Sequence, residues 1–279
     1  LEASLKSLTK GLVNRQVEAK LLLLAAISGE HVFLWGPPGT AKSLLARRLA
    51  DVCQGNFFER LLTRFSVPEE LFGPLSLRAL EDDRLYRRVE GFLPAADVAF
   101  LDEIFKANSS ILNALLTVLN ERAFDNGRER MKVPLWCAVA ASNELPDSDE
   151  LEALFDRFLL RRAVPPVLDA SIGEFLQAAL GIAEEGDESI DSDGAARLAA
   201  GPLLSAADAA TAQRHAASVF VPDRILNLMA SLRAYLRDSL EPPVMVSDRR
   251  LVRAARLLRV AAYAAGADAV SELDLFLLE

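Results

Sequence analysis

Residues His31 to Ser43, HVFLWGPPGTAKS, leave this chain few ways to fold. Val32, Phe33, Leu34 and Trp35 read as a buried strand, Gly36 to Gly39 as a tight turn, and a helix opens at Lys42. A strand that ends in a glycine turn and runs into a helix is the layout of a phosphate-binding loop. Its backbone N–H groups must point inward, which requires the close folding that glycine permits. Pro37 and Pro38 have no N–H, so the donors are Gly39, Thr40, Ala41, Lys42 and Ser43. Lys42 supplies charge for the outer phosphates, the Ser43 hydroxyl is a candidate Mg²⁺ ligand, and the helix N-terminus adds a favourable dipole. The general pattern is G-x-x-x-x-G-K-[ST], and Ala41 stands where it has its second glycine. If Ala41 lies within the first helical turn, alanine fits; if the position needs positive φ, the loop is distorted.

Around this stretch, strand and helix patterns alternate. Ser4 to Gly29 reads as helical, Leu44 to Val52 as an amphipathic helix, Phe57 to Leu62 as a strand, and Pro68 to Phe72 as a short helix entered through proline. Gly11-Leu12-Val13 is a weak candidate for a base pocket. Gly73 to Pro94 reads as a hairpin or looped insert. Val98 to Leu101 is an apolar strand, and Ser109 or Ser110 caps the helix that carries Ile111, Leu112, Leu115, Leu116 and Leu119. Ala123 to Pro134 reads as a hairpin around Asp125-Asn126-Gly127. Leu135 to Ala140 is a strand, Leu151 to Phe155 a helix, and Phe158 to Val164 the last strand. The alternation predicts an α/β fold, with a parallel sheet covered by helices on both faces. Pro165-Pro166 marks a boundary, giving domains at 1–166 and 167–279. Beyond it no strand pattern recurs; Glu184 to Asp193 reads as an acidic loop, and Pro222 to Arg237 and Asp248 to Ala265 as long helices of a small all-helical domain.

The net charge of −9, with pI near 5.0, is the reverse of the basic balance usual in nucleic-acid binders. Cys53 and Cys137 are isolated in apolar runs, which fits a reducing, cytoplasmic setting without a disulfide framework. His31 and His215 are the two histidines, and no zinc spacing occurs; His31 reads as flanking a strand. The longest aliphatic run, Leu21 to Ile27, is too short to span a bilayer. The start at Leu1 and the apolar end at Leu275 to Leu278 read as those of a fragment.

Three further sites carry chemistry. Val98-Ala99-Phe100-Leu101-Asp102-Glu103 delivers two carboxylates to the end of a buried strand, the edge at which α/β sheets bind ligands. Asp102 is suited to hold Mg²⁺ through water, and Glu103 to orient and deprotonate an attacking water. Asn143 ends a second strand, either as a γ-phosphate sensor or as a turn residue before Glu-Leu-Pro. Arg157, in Asp156-Arg157-Phe158, is placed either to act on a neighbouring subunit's nucleotide or as half of a surface ion pair. Ser247-Asp248 caps a helix that begins Arg249-Arg250, an unfavourable place for cations on dipole grounds. Arg253, Arg256 and Arg259 read as that helix's solvated face.

The order of GPPGTAKS, VAFLDE, ASN, FDRF and SDRR resembles that of AAA+ ATPases. The chain is similar to the MoxR family and most like its RavA branch, in which alanine replaces the second glycine. TRFSVPEELFGPLSL (Thr63 to Leu77), LLTVLNERAF (Leu115 to Phe124) and AASNELP (Ala140 to Pro146) carry that likeness. The resemblance implies an ATP and Mg²⁺ site at Gly36, Pro37, Pro38, Gly39, Thr40, Ala41, Lys42, Ser43 and Leu44. Lys42 and Ser43 would be the Walker A residues. It implies Walker B at Asp102 and Glu103, sensor 1 at Asn143, an arginine finger at Arg157 (Arg161 or Arg162 as alternatives) and sensor 2 at Arg249. Ser43 and Asp102 would hold the metal. Leu75 to Leu93 would be the helix-2 insert facing the pore, and Ala123 to Pro134 the pre-sensor-1 insert. It also implies hexameric rings, remodelling of partner proteins, von Willebrand factor A domain partners and a further C-terminal domain.

Two other functions are open to the same motifs. A DNA translocase would need basic hairpins at the pore. The hairpin has Arg128, Arg130 and Lys132 against Asp125 and Glu129. The insert has Arg78, Arg84, Arg87 and Arg88 against Glu81, Asp82, Asp83 and Glu90. That balance favours protein contact. A nucleotide switch that assembles without turnover would have no use for Glu103.

Overall fold

The structure is a computed structural model and describes residues 1–180 and 204–278. The chain divides into two compact units, 1–25 with 30–205 and 26–29 with 206–279. The acidic stretch Glu184 to Asp193 lies outside the described residues.

The chain opens with α1 (Glu2–Thr9) and α2 (Gln16–Ser28), then β1 (Val32–Trp35), α3 (Lys42–Cys53), β2 (Phe57–Leu61), α4 (Pro68–Phe72) and α5 (Leu77–Glu81). Next come β3 (Val98–Asp102), α6 (Ser109–Glu121), β4 (Ala123–Asn126), β5 (Glu129–Lys132), β6 (Cys137–Ser142), α7 (Asp149–Phe155), β7 (Leu160–Ala163) and α8 (Ile172–Ala179). The expected single N-terminal helix is two, because Gly11 and Asn14 take left-handed backbone angles, φ 64° and 57°. The turn between them brings Arg15 to the glycine loop.

The main sheet has the order β2-β3-β6-β1-β7, with every pairing parallel. Its central strands are near-continuous runs of Val, Ala, Phe and Leu, as a sheet covered on both faces requires. Val98 to Leu101 and Cys137 to Ala141 are fully buried. One side of the sheet packs Phe33, Leu101 and Ala140 with Ile111, Leu115 and Val118 of α6. Register pairs Trp35 with Ser142 and Leu101 with Ala140. The ends of β1, β3 and β6 therefore reach one edge together.

His31 locks this layer. Ala138 N–H donates to its Nδ1 at 2.9 Å, so its Nε2 carries the proton and donates to Leu119 O at 3.2 Å. The imidazole is a buried neutral strut, in keeping with its expected place beside a strand. Cys53 and Cys137 are free and buried, and burial pushes both thiols up to about 12.

Several local expectations shift. The cap of α6 is Asn108, whose Oδ1 accepts from Ile111 N at 3.2 Å, rather than either serine. Its Nδ2 also donates to Ser66 O, a long-range bond that no local pattern encodes. The strand expected at Leu135 starts at Cys137 and runs on to Ser142. The insert contains α5 and an isolated antiparallel bridge between Leu75 and Arg87. The hairpin β4–β5 forms, but Asp125 and Asn126 are paired strand residues and Gly127, φ 69°, opens the turn. Asn126 is needed elsewhere. It accepts from Arg87 N at 2.7 Å and donates to Arg87 O at 3.0 Å, clasping the insert to the hairpin. A Cβ on Gly127 would stand 1.8 Å from Leu85 O, so only glycine permits that approach. Phe72 and Phe124 stack beneath, centroids 5.2 Å apart.

The second unit contains α9 (Ala206–Ala216), α10 (Asp223–Asp238) and α11 (Asp248–Ala264). An isolated parallel bridge joins Phe220 to Ala269, where no strand pairing was expected. Ser247 caps α11 as expected, accepting from Arg250 N at 3.2 Å. Arg259, expected on the solvated face, is half-buried, and its Nε donates to Val219 O at 3.0 Å.

Asn126→Ala would leave both polar groups of Arg87 without their partner. Chemical denaturation should show a loss of about 1–3 kcal/mol, with far-UV circular dichroism unchanged.

Candidate functional site

The glycine loop leaves β1 at its exposed end, after Trp35. A Cβ on Gly36 would lie 2.3 Å from Val164 O, so the chain turns there with no room for a side chain. Gly36 N–H donates to Ser142 O at 3.1 Å, which ties the loop to the end of β6. Thr40 Oγ1 donates to Pro37 O at 3.0 Å and closes the turn.

Ala41 has φ 67° and ψ 23° and precedes the first helical residue, Lys42. Of the two outcomes open from sequence, the structure adopts the strained one: the position is left-handed, and alanine takes it. The cost of such a residue is about 1–2 kcal/mol. Glu103, φ 51°, is another of the six non-glycine residues with positive φ among the described residues. Of those six, Ala41 and Glu103 adjoin the glycine loop and the end of β3, and each is held in a sparsely populated region by its surroundings.

Lys42 is only 8% exposed. Its Nζ donates to Gly36 O at 2.9 Å, to Pro37 O at 2.7 Å and to Thr40 Oγ1 at 3.3 Å. Burial lowers its pKa, and the charges of Asp102 and Glu103 work against that. Asp102 shows the converse: burial pushes its carboxyl up, opposed first by the Glu103 N–H that bonds its Oδ1 at 3.1 Å. Repulsion from Glu103 adds to the rise, and the Lys42 charge opposes it. The sheet thus brings Lys42, Asp102 and Glu103 within electrostatic reach of one another.

Glu103 Oε2 is buried and has no hydrogen-bond partner among the described residues, although Lys106 Nζ stands 3.3 Å away. A buried carboxylate oxygen with unused acceptor capacity is an acceptor for a water or a hydroxyl group. Ser43 is half-buried at the head of α3, and Asp102 is half-buried at the end of β3. A hydroxyl and a carboxylate form an oxygen donor set of the kind magnesium uses together with water and phosphate, so these residues fit the metal implied by the loop.

Asn143 follows β6 with its side chain exposed. Its carbonyl accepts from Trp35 Nε1 at 3.2 Å, which anchors it to the end of β1. Arg157 lies just past α7, half-buried, with NH1 3.6 Å from Asp156 Oδ2. Arg161 caps α7, donating to Phe155 O and Phe158 O with its guanidinium 3.4 Å above the Phe155 ring. Arg162 Nε is 3.4 Å from the buried Glu18 carboxylate. These two arginines serve the first unit's own structure. Arg249 is exposed at the first turn of α11, in the second unit. Sequence reasoning missed Arg15, whose Nε donates to Thr40 O at 3.0 Å. Nothing in the run GLVNRQ distinguishes it from a surface cation.

Residues 1–199 match the family model described as the MoxR domain in the MoxR-vWA-beta-propeller ternary systems. The chain belongs to the MoxR family of AAA+ ATPases. Residues 224–279 match the AAA lid domain. An uncharacterized protein of Methanocaldococcus jannaschii is 36% identical over the full length of this chain, which spans 70% of that protein. A second protein from the same organism is 49% identical over 59% of this chain and 43% of its own length. Chaperone MoxR1 of Mycobacterium tuberculosis is 29% identical over 58% of this chain and 43% of its own length. A crystal structure of a candidate ATPase from Cytophaga hutchinsonii superposes with a TM-score of 0.76, at 18% identity, over 99% of this chain and 83% of that one. The expected α/β AAA+ fold with a helical lid is therefore the fold of this MoxR chain. No helix among its described residues is long and apolar enough to cross a membrane.

Ala41→Gly should relieve the left-handed strain, offset in part by the greater freedom of the unfolded chain. Denaturant titration should show a net gain of up to about 1 kcal/mol.

Proposed function

We propose that this chain is a cytoplasmic ATPase that hydrolyses ATP to ADP and phosphate and works as a ring to remodel partner proteins. The observation that carries this reading is the loop itself: Lys42 is held under the Gly36–Thr40 turn, within electrostatic reach of two carboxylates at the end of the parallel strand β3. The loop amides from Gly39 to Ser43 receive the phosphates, and Leu44 completes the nucleotide contact. Lys42 exchanges its loop carbonyls for phosphate oxygens. Ser43 and Asp102 hold Mg²⁺, which supplies charge neutralisation at the phosphates when bound. Glu103 takes the proton of the attacking water through the oxygen that lacks a hydrogen-bond partner. Asn143 orients that water, Arg157 stabilises charge on a neighbour's nucleotide, and Arg249 senses the nucleotide from the lid. A division of function at Pro165-Pro166, domains 1–166 and 167–279, belongs to the same proposal.

The ring is taken as hexameric. The matched model's ternary systems support a partner with a von Willebrand factor A domain. The segments Thr63 to Leu77, Leu115 to Phe124 and Ala140 to Pro146 are the basis for placing the chain near the RavA branch. Nucleic acid is the less suitable partner, because three of the seven basic residues named in the inserts are already in ion pairs with carboxylates. Arg84 meets Asp82 at 2.8 Å, Arg87 meets Glu69 at 2.9 Å, and Arg130 meets Glu121 and Asp125. Paired cations release fewer counterions on binding DNA.

Lys42→Ala should abolish binding of labelled ATP; unchanged affinity in a fluorescence titration would remove Lys42 from the site. Glu103→Gln should bind ATP and hold it unhydrolysed, with turnover reduced about 10²–10⁴-fold, and wild-type turnover would reassign the base. Arg157→Ala mixed with wild-type subunits should depress hydrolysis more than in proportion to its fraction; a strictly proportional loss rules out action between subunits.

A further inference from the structure

Arg15 is 3% exposed and takes no part in the proposed hydrolysis. Its guanidinium reaches three stretches of chain: NH1 donates to Asn14 O at 2.7 Å, Nε to Thr40 O at 3.0 Å, and NH2 to Pro165 O at 2.8 Å. All three acceptors are backbone carbonyls. A planar, permanently charged fork is suited to fixing several carbonyls at set angles.

The Thr40 carbonyl belongs to the peptide that leads into Ala41. In a trans peptide the C=O and the following N–H point in opposite directions. Holding Thr40 O on Arg15 therefore fixes the Ala41 N–H on the opposite side of the same plane. Rotation of that peptide would relieve the left-handed φ of Ala41 and withdraw the Thr40 carbonyl from Arg15. The other end of the fork holds Pro165, where the chain leaves β7. Three residues on, Leu168 N–H donates to Asn14 Oδ1 at 3.3 Å. The turn at 10–15 thus grips both the loop and the segment 165–168.

We propose that Arg15 is a positioning residue that couples the orientation of the Thr40–Ala41 peptide to the 165–168 segment, so that a seated nucleotide tightens that segment. The inference rests on the nucleotide-binding reading of the loop. A ligand that needs the Ala41 N–H favours the peptide orientation in which Thr40 O faces Arg15, and that difference between states drives the coupling. Reciprocity requires that loosening 165–168 weaken nucleotide binding.

Hydrogen exchange of the full chain, with and without saturating Mg-ADP, tests this. In the wild type, exchange at the Leu168 amide should slow at least about fivefold on ADP binding. Arg15→Lys keeps the charge but cannot reach three carbonyls, so ADP should bind more weakly and the slowing at Leu168 should vanish. Asn14→Gly suits the positive φ there and removes only the Leu168 acceptor. By reciprocity it should weaken Mg-ADP binding with Arg15 intact, and unchanged affinity would overturn the coupling, which keeps the test decisive if Arg15→Lys does not fold. Equal slowing in wild type and variants, or none in a wild type that binds ADP, overturns the role of Arg15 alone. A wild type that binds no ADP overturns the nucleotide reading and this inference with it.

Discussion

The close approach of Gly36 to the Val164 carbonyl governs the site. No side chain fits between β1 and the end of β7, so the chain must leave its strand as bare backbone and turn at once. That turn presents carbonyls inward to Lys42 and sets the start of α3 at the edge of the sheet. The register of β6 against β1, and of β3 against β6, then determines what stands on that side of β1: Ser142 and Asn143 on the adjacent strand, Asp102 and Glu103 one strand further on. Backbone proximity comes first, and the carboxylates inherit their place from it.

The resulting site is under opposed electrostatic demands. Burial disfavours the charge on Lys42 and on Asp102, and each is partly offset by the other. Strain accompanies this at Ala41 and Glu103. A polyphosphate and a divalent cation bring the charges that such an arrangement accommodates best, negative beside the lysine and positive beside the carboxylates. The MoxR relationship and these local energetics agree without depending on one another.

Much of this is legible in the residues because the signals are local. The apolar runs of β1, β3 and β6, the glycine turn and the Asp102-Glu103 pair each lie within a few consecutive positions. Features that depend on distant partners are not legible. Asn108 caps α6 in place of Ser109 or Ser110 because it also reaches Ser66 O. Ala41 takes a left-handed angle that its sequence neighbours do not impose, and Arg15 finds its three carbonyls across 150 residues. The N-terminal region reads as one helix because its apolar residues continue through a turn that only Gly11 and Asn14 announce.

The clasp at Asn126 has a mechanical corollary. Asn126 and Arg87, 39 residues apart in the chain, are joined by two hydrogen bonds, and beside them Gly127 contacts Leu85 and Phe72 stacks on Phe124. The hairpin tip and the preceding insert therefore form one stiff strut, braced at its root by Arg87 on Glu69 and Gly73. A tug at either tip is felt by α4 through that brace and cannot be dissipated by one arm sliding past the other.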